Sequence, residues 1–487
     1  MDFFDPKKKR IRSLRLFAGY ALMGIALLIG TVIVWYQTYG YDIDRKTGDI
    51  IQKGLVFVDA HPESATIYLN GQKKDQTGAR FTPASGHYSL ELKRNGYRSW
   101  RHEFDLYGGT TEYFIYPFLF PEKLSTSEKR LYPSVPSLVS VSPDRHWLIV
   151  QKPDNFTTFD LFDLTNPNAI ASAIVLPANL LTPSTKTQSL KAVEWSSDNK
   201  HLLIKHTYDS QEYILLDRES PANSVNLSKT LGIASSDVSL RDKKADRFYI
   251  YNPEGGILRT ADLKSVSEAP LLSQVLSFHS HGKDTLVYIS AEDATTGKVA
   301  VKVHDGGKEY KLKELPANSK YLLDLAQFNG HWYIAAGAVN EGKISVYRDP
   351  VSVLRKGLGI AAQPISTLRV DKPAQVIFSN NSRFVMAQSG SKFAVYDAEQ
   401  DRQYRYDTGL KVDPTALASW MDGHRLTLVN DNHAVVFDFD GMNLQTLSSA
   451  YPNTAIIFDE GYKAMFTFAP SENVGQAALT RTELIVK

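Results

Sequence analysis

Two histidines two residues apart, His279 and His281 with Ser280 between them, are the closest pair of imidazoles in the chain. They could offer two nitrogens to a metal, but no carboxylate or third histidine follows at ligand spacing, so a structural turn is the expectation. Six aspartates, Asp160, Asp163, Asp217, Asp397, Asp438 and Asp440, fall near the ends of apolar runs. Carboxylates converging at defined separation could cleave glycans. Aspartate at a strand end is also ordinary turn material, and that reading is preferred. Asp293–Lys298 (DATTGK) and Asp305-Gly306-Gly307 read as hairpin turns without calcium-loop spacing. Asn155-Phe156-Thr157 fits a glycosylation sequon, a triplet that also arises by chance. The sequence contains no Gly-x-Ser-x-Gly elbow, no phosphate-binding loop and no dinucleotide fingerprint. With no cysteine, disulfides, thiolate metal sites and cysteine nucleophiles are excluded. The expectation is a non-enzymatic chain with no cofactor and no metal.

The elements that must position these residues begin with an apolar span. Leu16 to Trp35 is twenty residues without a charge, the thickness of a bilayer's hydrocarbon core. Residues 1–15 carry six basic residues (Lys7, Lys8, Lys9, Arg10, Arg12, Arg15) against Asp2 and Asp5. Trp35, Tyr36, Tyr39 and Tyr41 resemble an interfacial belt at the far end. The long apolar run lacks a small-x-small cleavage site, which favours an uncleaved anchor over a signal peptide. The charge asymmetry puts residues 1–15 in the cytoplasm, residues 16–36 across the membrane and the remainder outside it. The whole chain has 55 basic and 53 acidic residues and a formal charge of +2, so it presents no nucleic-acid field.

Residues 37–53 are polar and turn-rich, with Gly40 and Gly48 as breakers, and read as a stalk. A compact β unit follows over 54–118. Leu55–Val58 is a short apolar strand, and Ala65, Ile67 and Leu69 alternate with Thr66 and Tyr68 before a tight Asn70-Gly71 turn. Tyr88, Leu90 and Leu92 alternate in the next strand. After Asn95-Gly96-Tyr97, Trp100, Phe104 and Leu106 share a face. Pro62-x-x-Ala65, Asn70-Gly71, Gly86-x-Tyr88 and Gly96-Tyr97-x-x-Trp100 together resemble the PEGA domain, a small β-sandwich-like module. Ser64 stands where the family signature has glycine, and Thr77-Gly78 where it has Thr-Pro. The resemblance implies an extracytoplasmic binding or spacer module of the bacterial envelope and no chemistry. Within it, Tyr97, Trp100 and Tyr107 are the candidate binding residues, as an exposed aromatic patch.

Residues 119–137 carry prolines and polar filler and read as a linker. From 138 to 487 a polar residue opening an apolar strand recurs eight times, at His146, His201, Arg247, Thr285, His331, Arg383, Arg425 and Lys463, each followed by a partner strand. A period of about 45 residues is that of a four-stranded propeller blade, giving seven or eight blades. The turns Ser142-Pro143-Asp144, Ser196-Ser197-Asp198, Ser379-Asn380-Asn381 and Met421-Asp422-Gly423 resemble those of WD40-like repeats in TolB-type propellers. The expected fold is mainly β: one transmembrane helix, a PEGA-like sandwich and a propeller. The expected function is a membrane-anchored scaffold contacting the bilayer through residues 16–36 and an envelope protein or cell-wall glycan through its outer domains. A glycan-acting enzyme using the propeller funnel is the alternative.

Overall fold

The computed structural model describes residues 6–38, 40–43, 50–166, 168–282, 284–357, 361–413, 415–471 and 475–486. Asp2, Asp5, Tyr39 and Gly48, named above, lie outside the described residues, as do the side chains of Lys7 and Lys8. The chain divides into two units, Met1–Lys123 with Val486–Lys487, and Leu124–Ile485.

The first unit opens with a helix over Pro6–Thr38, so most of the basic tail is helical and continuous with the apolar span. Lys9–Tyr36 is long and apolar enough to cross a membrane, and none of it is buried in the protein. The expected stalk is instead a short hairpin. Tyr41–Ile43 pairs with Ile50–Gln52, and Lys53 N donates to Gly40 O at 2.6 Å. Two sheets then sandwich one core. Gln72–Gln76, Thr66–Leu69, Gly86–Lys93 and Trp100–Leu106 lie in that order in one, and Ala79–Phe81, Leu55–Val58 and Thr111–Phe114 in the other. Val56, Val58, Ile67, Leu90, Leu92, Trp100 and Phe114 fill the space between them. Asn70 (φ 50°) and Gly71 (φ 75°) form the expected hairpin turn. Ser64 takes φ 65°, the left-handed conformation that a glycine adopts without steric cost.

The second unit is built from eight antiparallel sheets among the described residues. All eight repeat-opening strands and their partners form the second and third strands of successive sheets, from Trp147–Lys152 with Asn155–Asp163 to Ala464–Pro470 with Ala477–Glu483. One of the sheets has three named strands, Asp237–Leu240, Arg247–Asn252 and Ile257–Asp262. Single bridges at Leu258–Leu272 and Ala261–Val266 stand in for a fourth. Each strand pair alone would leave an apolar face in water, and stacking neighbouring sheets buries it. Leu202 and Ile204 thus join Ile149 and Phe159, and Leu286 and Tyr288 join Tyr249 and Leu258.

The ring closes on itself. Leu148 and Val150 of the first sheet pack against Ile457, Phe466 and Phe468 of the last. The last sheet takes its outer strand from the other end of the unit: Ser125–Tyr132 pairs antiparallel with Ala477–Glu483. This corrects the expected linker over 119–137. Leu119 and Phe120 are buried, residues 125–132 are a strand, and the propeller begins near Leu124 rather than at 138.

Candidate functional site

The aromatic patch expected of Tyr97, Trp100 and Tyr107 is dispersed by the fold. Trp100 points into the sandwich, where it stacks on His102 at 5.7 Å and meets Phe114 edge-on at 6.2 Å. Tyr97 is also buried, with the Arg94 guanidinium 5.2 Å from its ring centre and its hydroxyl accepting from Val486 N at 2.7 Å. Both are core residues, because the strand's alternation puts Trp100 on the face of Phe104 and Leu106. Tyr107 alone is exposed, at 67%, in the turn before Thr111–Phe114. Two further aromatics of the sandwich, passed over in the sequence reading, also face outward. Phe57 and Tyr113 are register partners on adjacent parallel strands, and their rings stack at 5.1 Å and 4°. Tyr113 and Ile115 are more than half exposed, and Arg80 lies opposite Phe57 on the neighbouring strand. A lone apolar tetrapeptide, Leu55–Val58, does not reveal which of its side chains face out.

In the propeller, the first strand of each sheet lies nearest the axis, and first strands touch between the second and third, fourth and fifth, and fifth and sixth sheets. His279 and His281 lie on such a strand, Val275–His281, not in the turn expected for them. The fold brings them the carboxylate that sequence spacing lacked: His279 Nε2 is 3.2 Å from Asp324 Oδ1 on the next first strand. Asp324 also accepts from Phe378 N and Leu325 N, each at 2.8 Å. Burial pushes the Asp324 carboxyl above its usual range, against the pull of His279 and these two amides. Burial likewise lowers the His281 imidazole. Among the described residues no group of three or more His, Asp or Glu side chains is placed to hold a metal. Glu194 repeats the arrangement on the second sheet, accepting from Leu240 N of the third sheet and pairing with Lys243. Each inner acid therefore ties one first strand to the next.

The six aspartates singled out in the sequence lie on or just beyond third strands, away from the axis. Asp160 accepts from Tyr132 Oη at 2.9 Å, and Asp217 caps the turn through Glu219 N and Ser220 N, both at 2.9 Å. Asp397 is fully buried and receives Arg383 Nε at 2.9 Å and Nη2 at 2.6 Å. Asp163 lies 3.1 Å from His146 Nε2, Asp438 is joined by Asn443 Nδ2 at 2.9 Å, and Asp440 accepts from Met442 N at 3.0 Å. Clefts open between some of the sheets. One of about 410 Å³ between the seventh and eighth sheets is lined by Leu417, Ser419, Thr427, Asn453, Thr454 and Ile456.

A closed ring of four-stranded antiparallel sheets is a β-propeller, and here it follows a small two-sheet sandwich and a long apolar helix. Residues 53–118 match the PEGA domain family, within one residue of the boundary expected from sequence. No curated protein matches the chain in sequence. Among solved structures, the dihydro-heme d1 dehydrogenase NirN in complex with DHE aligns at TM-score 0.41 and 16% identity, covering 66% of this chain and 66% of that one. KlHsv2 with loop 6CD replaced by a Gly-Ser linker aligns at 0.40 and 14%, covering 66% and 98%. The mitotic checkpoint complex aligns at 0.37 and 11%, covering 75% and 97%. At these scores the alignments carry no functional argument, and the propeller rests on the sheet order.

Proposed function

We propose that this chain is a single-pass, membrane-anchored scaffold of the bacterial cell envelope, with an eight-bladed propeller outside the membrane and no catalysis of its own. The apolar helix is the anchor, with the basic N-terminus inside and both folded units outside. The PEGA module serves as the wall contact and the propeller as a platform for a partner protein. The observation that carries the scaffold reading is how the axial polar groups are used. Asp324 and Glu194 hold backbone amides of the neighbouring sheet together with the His279 imidazole and the Lys243 ammonium, respectively, which leaves little capacity for a substrate. The stacked Phe57–Tyr113 pair supports the wall contact, since a flat exposed ring suits the apolar face of a sugar.

The test is cosedimentation of the detergent-solubilised full chain with purified cell-wall material. Retention at high salt that falls three- to tenfold in Tyr113→Ala supports the wall contact. That range corresponds to about 0.5–1.5 kcal/mol for one aromatic contact. No retention of the unaltered chain would remove the glycan and direct the search to a protein partner, by crosslinking on intact cells.

A further inference from the structure

We infer that the turn carrying Tyr107 is a second contact with the bilayer, its ring lying in the headgroup layer of the leaflet that the helix leaves at Trp35 and Tyr36. This rests on the anchor reading above and goes beyond it. The helix ends at Thr38. Gly40 is two residues on, at most about 7 Å of chain. From Gly40 a short ladder of backbone bonds leads directly to the Tyr107 turn. Lys53 N donates to Gly40 O at 2.6 Å, Gly109 N donates to Lys53 O at 2.8 Å, and Thr110 N donates to Tyr107 O at 3.2 Å.

The packing there leaves no slack. Gly40 sits at φ +76°, and a β-carbon on it would collide with Lys53 O and Gly109 N; one on Gly108 would collide with the Gln52 side chain. The turn is therefore fastened to the chain at the point where it emerges from the membrane, and not held off on a spacer. The headgroup layer is about 5–8 Å deep on each side of a hydrocarbon core of about 30 Å, so a tyrosine at this height can reach it. Tyr107 is 67% exposed, whereas its neighbours Leu106 and Phe104 are buried. A ring with an apolar body and a hydroxyl tip is the side chain enriched at that depth. Beside it opens a cleft of about 480 Å³, lined by Lys53 and the hydroxyl-bearing Thr38, Tyr41, Thr82, Thr110 and Thr111.

The cysteine-free sequence makes the test direct. The full chain is reconstituted in phosphatidylethanolamine–phosphatidylglycerol vesicles as Tyr107→Cys, Val34→Cys and Lys74→Cys, each spin-labelled. Collision with oxygen and with a water-soluble nickel chelate then reports depth. The expected order is Val34→Cys in the hydrocarbon, Lys74→Cys in water, and Tyr107→Cys between them, with nickel accessibility at least threefold below that of Lys74→Cys. A label at 107 as accessible as that at 74, with the label at 34 protected, overturns the inference and leaves the anchor standing. A label at 34 open to nickel overturns the anchor and this inference together.

Discussion

At the scale of single residues, the polar opener of six of the eight repeats has a physical explanation: it meets the acid that closes the partner strand. His146 meets Asp163 at 3.1 Å, His201 meets Asp217 at 3.9 Å and His331 meets Asp349 at 2.5 Å. Thr285 donates to Asp305 at 3.4 Å, and Arg425 Nε lies 3.7 Å from Asp438. Arg383 grips the fully buried Asp397 through both Nε and Nη2. Burial acts against the Arg383 charge, yet the hydrogen bonds to Asp397 hold its pKa above the ordinary value. Asp397→Asn leaves that cation only the half-exposed Glu399 as counter-charge, and a loss of about 1.5–3 kcal/mol in urea unfolding is expected. Replacing both partners, as Arg383→Met with Asp397→Leu, costs less than Asp397→Asn alone. A second residue sets a pH dependence. Burial, aided by the nearby Arg425 cation, lowers His424 from 6.5 to about 4. The unfolded chain therefore binds a proton near pH 6.5 that the folded chain refuses until about 4. The stability from His424 is intact above 6.5 and is lost as the pH falls from there through 4. Thermal unfolding followed from pH 7 to 4 falls less steeply in His424→Asn than in the unaltered chain.

At the scale of elements, legibility followed apolar pattern. The eight central hairpins were readable because each buries both faces and so reads as an apolar run with a polar opener. The outer strand Ser125–Tyr132 was not, since six of its eight residues are exposed and STSEKRLY carries no apolar alternation. The axial strand Val275–His281 was hidden for a related reason: its last three residues, His279, Ser280 and His281, are polar, and polar residues read as a turn. In the PEGA unit, alternation had already grouped Trp100 with Phe104 and Leu106, and the pattern was a better guide than the preference for aromatics at binding surfaces. Ser64 is a local misfit in the same unit, a side chain at φ 65°. Ser64→Gly is expected to stabilise the unit by about 1 kcal/mol, read from hydrogen exchange of the Thr66–Leu69 amides. For the propeller, a fragment of residues 124–485 is expected to fold. One of residues 138–485, starting where the sequence alone suggests, lacks the closing strand and unfolds at lower temperature, by circular dichroism.

At the scale of the whole propeller, polar and aromatic contacts link neighbouring sheets around one end of the ring. Asp144 N donates to Asn199 Oδ1 at 3.2 Å, Ser197 N to Lys243 O at 2.7 Å, and Arg241 Nη2 to Asp284 Oδ1 at 2.5 Å. Asp324 joins the fourth, fifth and sixth sheets, and Phe384 stacks on Trp420 at 6.0 Å between the sixth and seventh. Arg145 completes the circuit. Its guanidinium lies 4.5 Å from the ring centre of Tyr462 in the eighth sheet and donates to Met421 O of the seventh at 2.5 Å. Arg145→Ala removes both contacts, and a loss of about 1–3 kcal/mol is expected in equilibrium unfolding.

The closing strand also constrains the order of events as the chain is made. Thr126 and Thr482 share a hydrogen bond across 356 residues of sequence. The strand that seals the ring precedes the rest of the propeller and must wait, unpaired, until residues 477–483 have arrived. Contacts this distant in sequence make folding slow, and an unpaired strand edge invites other chains to add to it. A nascent chain of this design needs protection in proportion to the time its synthesis takes, and its yield is set by the rate of delivery as much as by the stability of the finished ring.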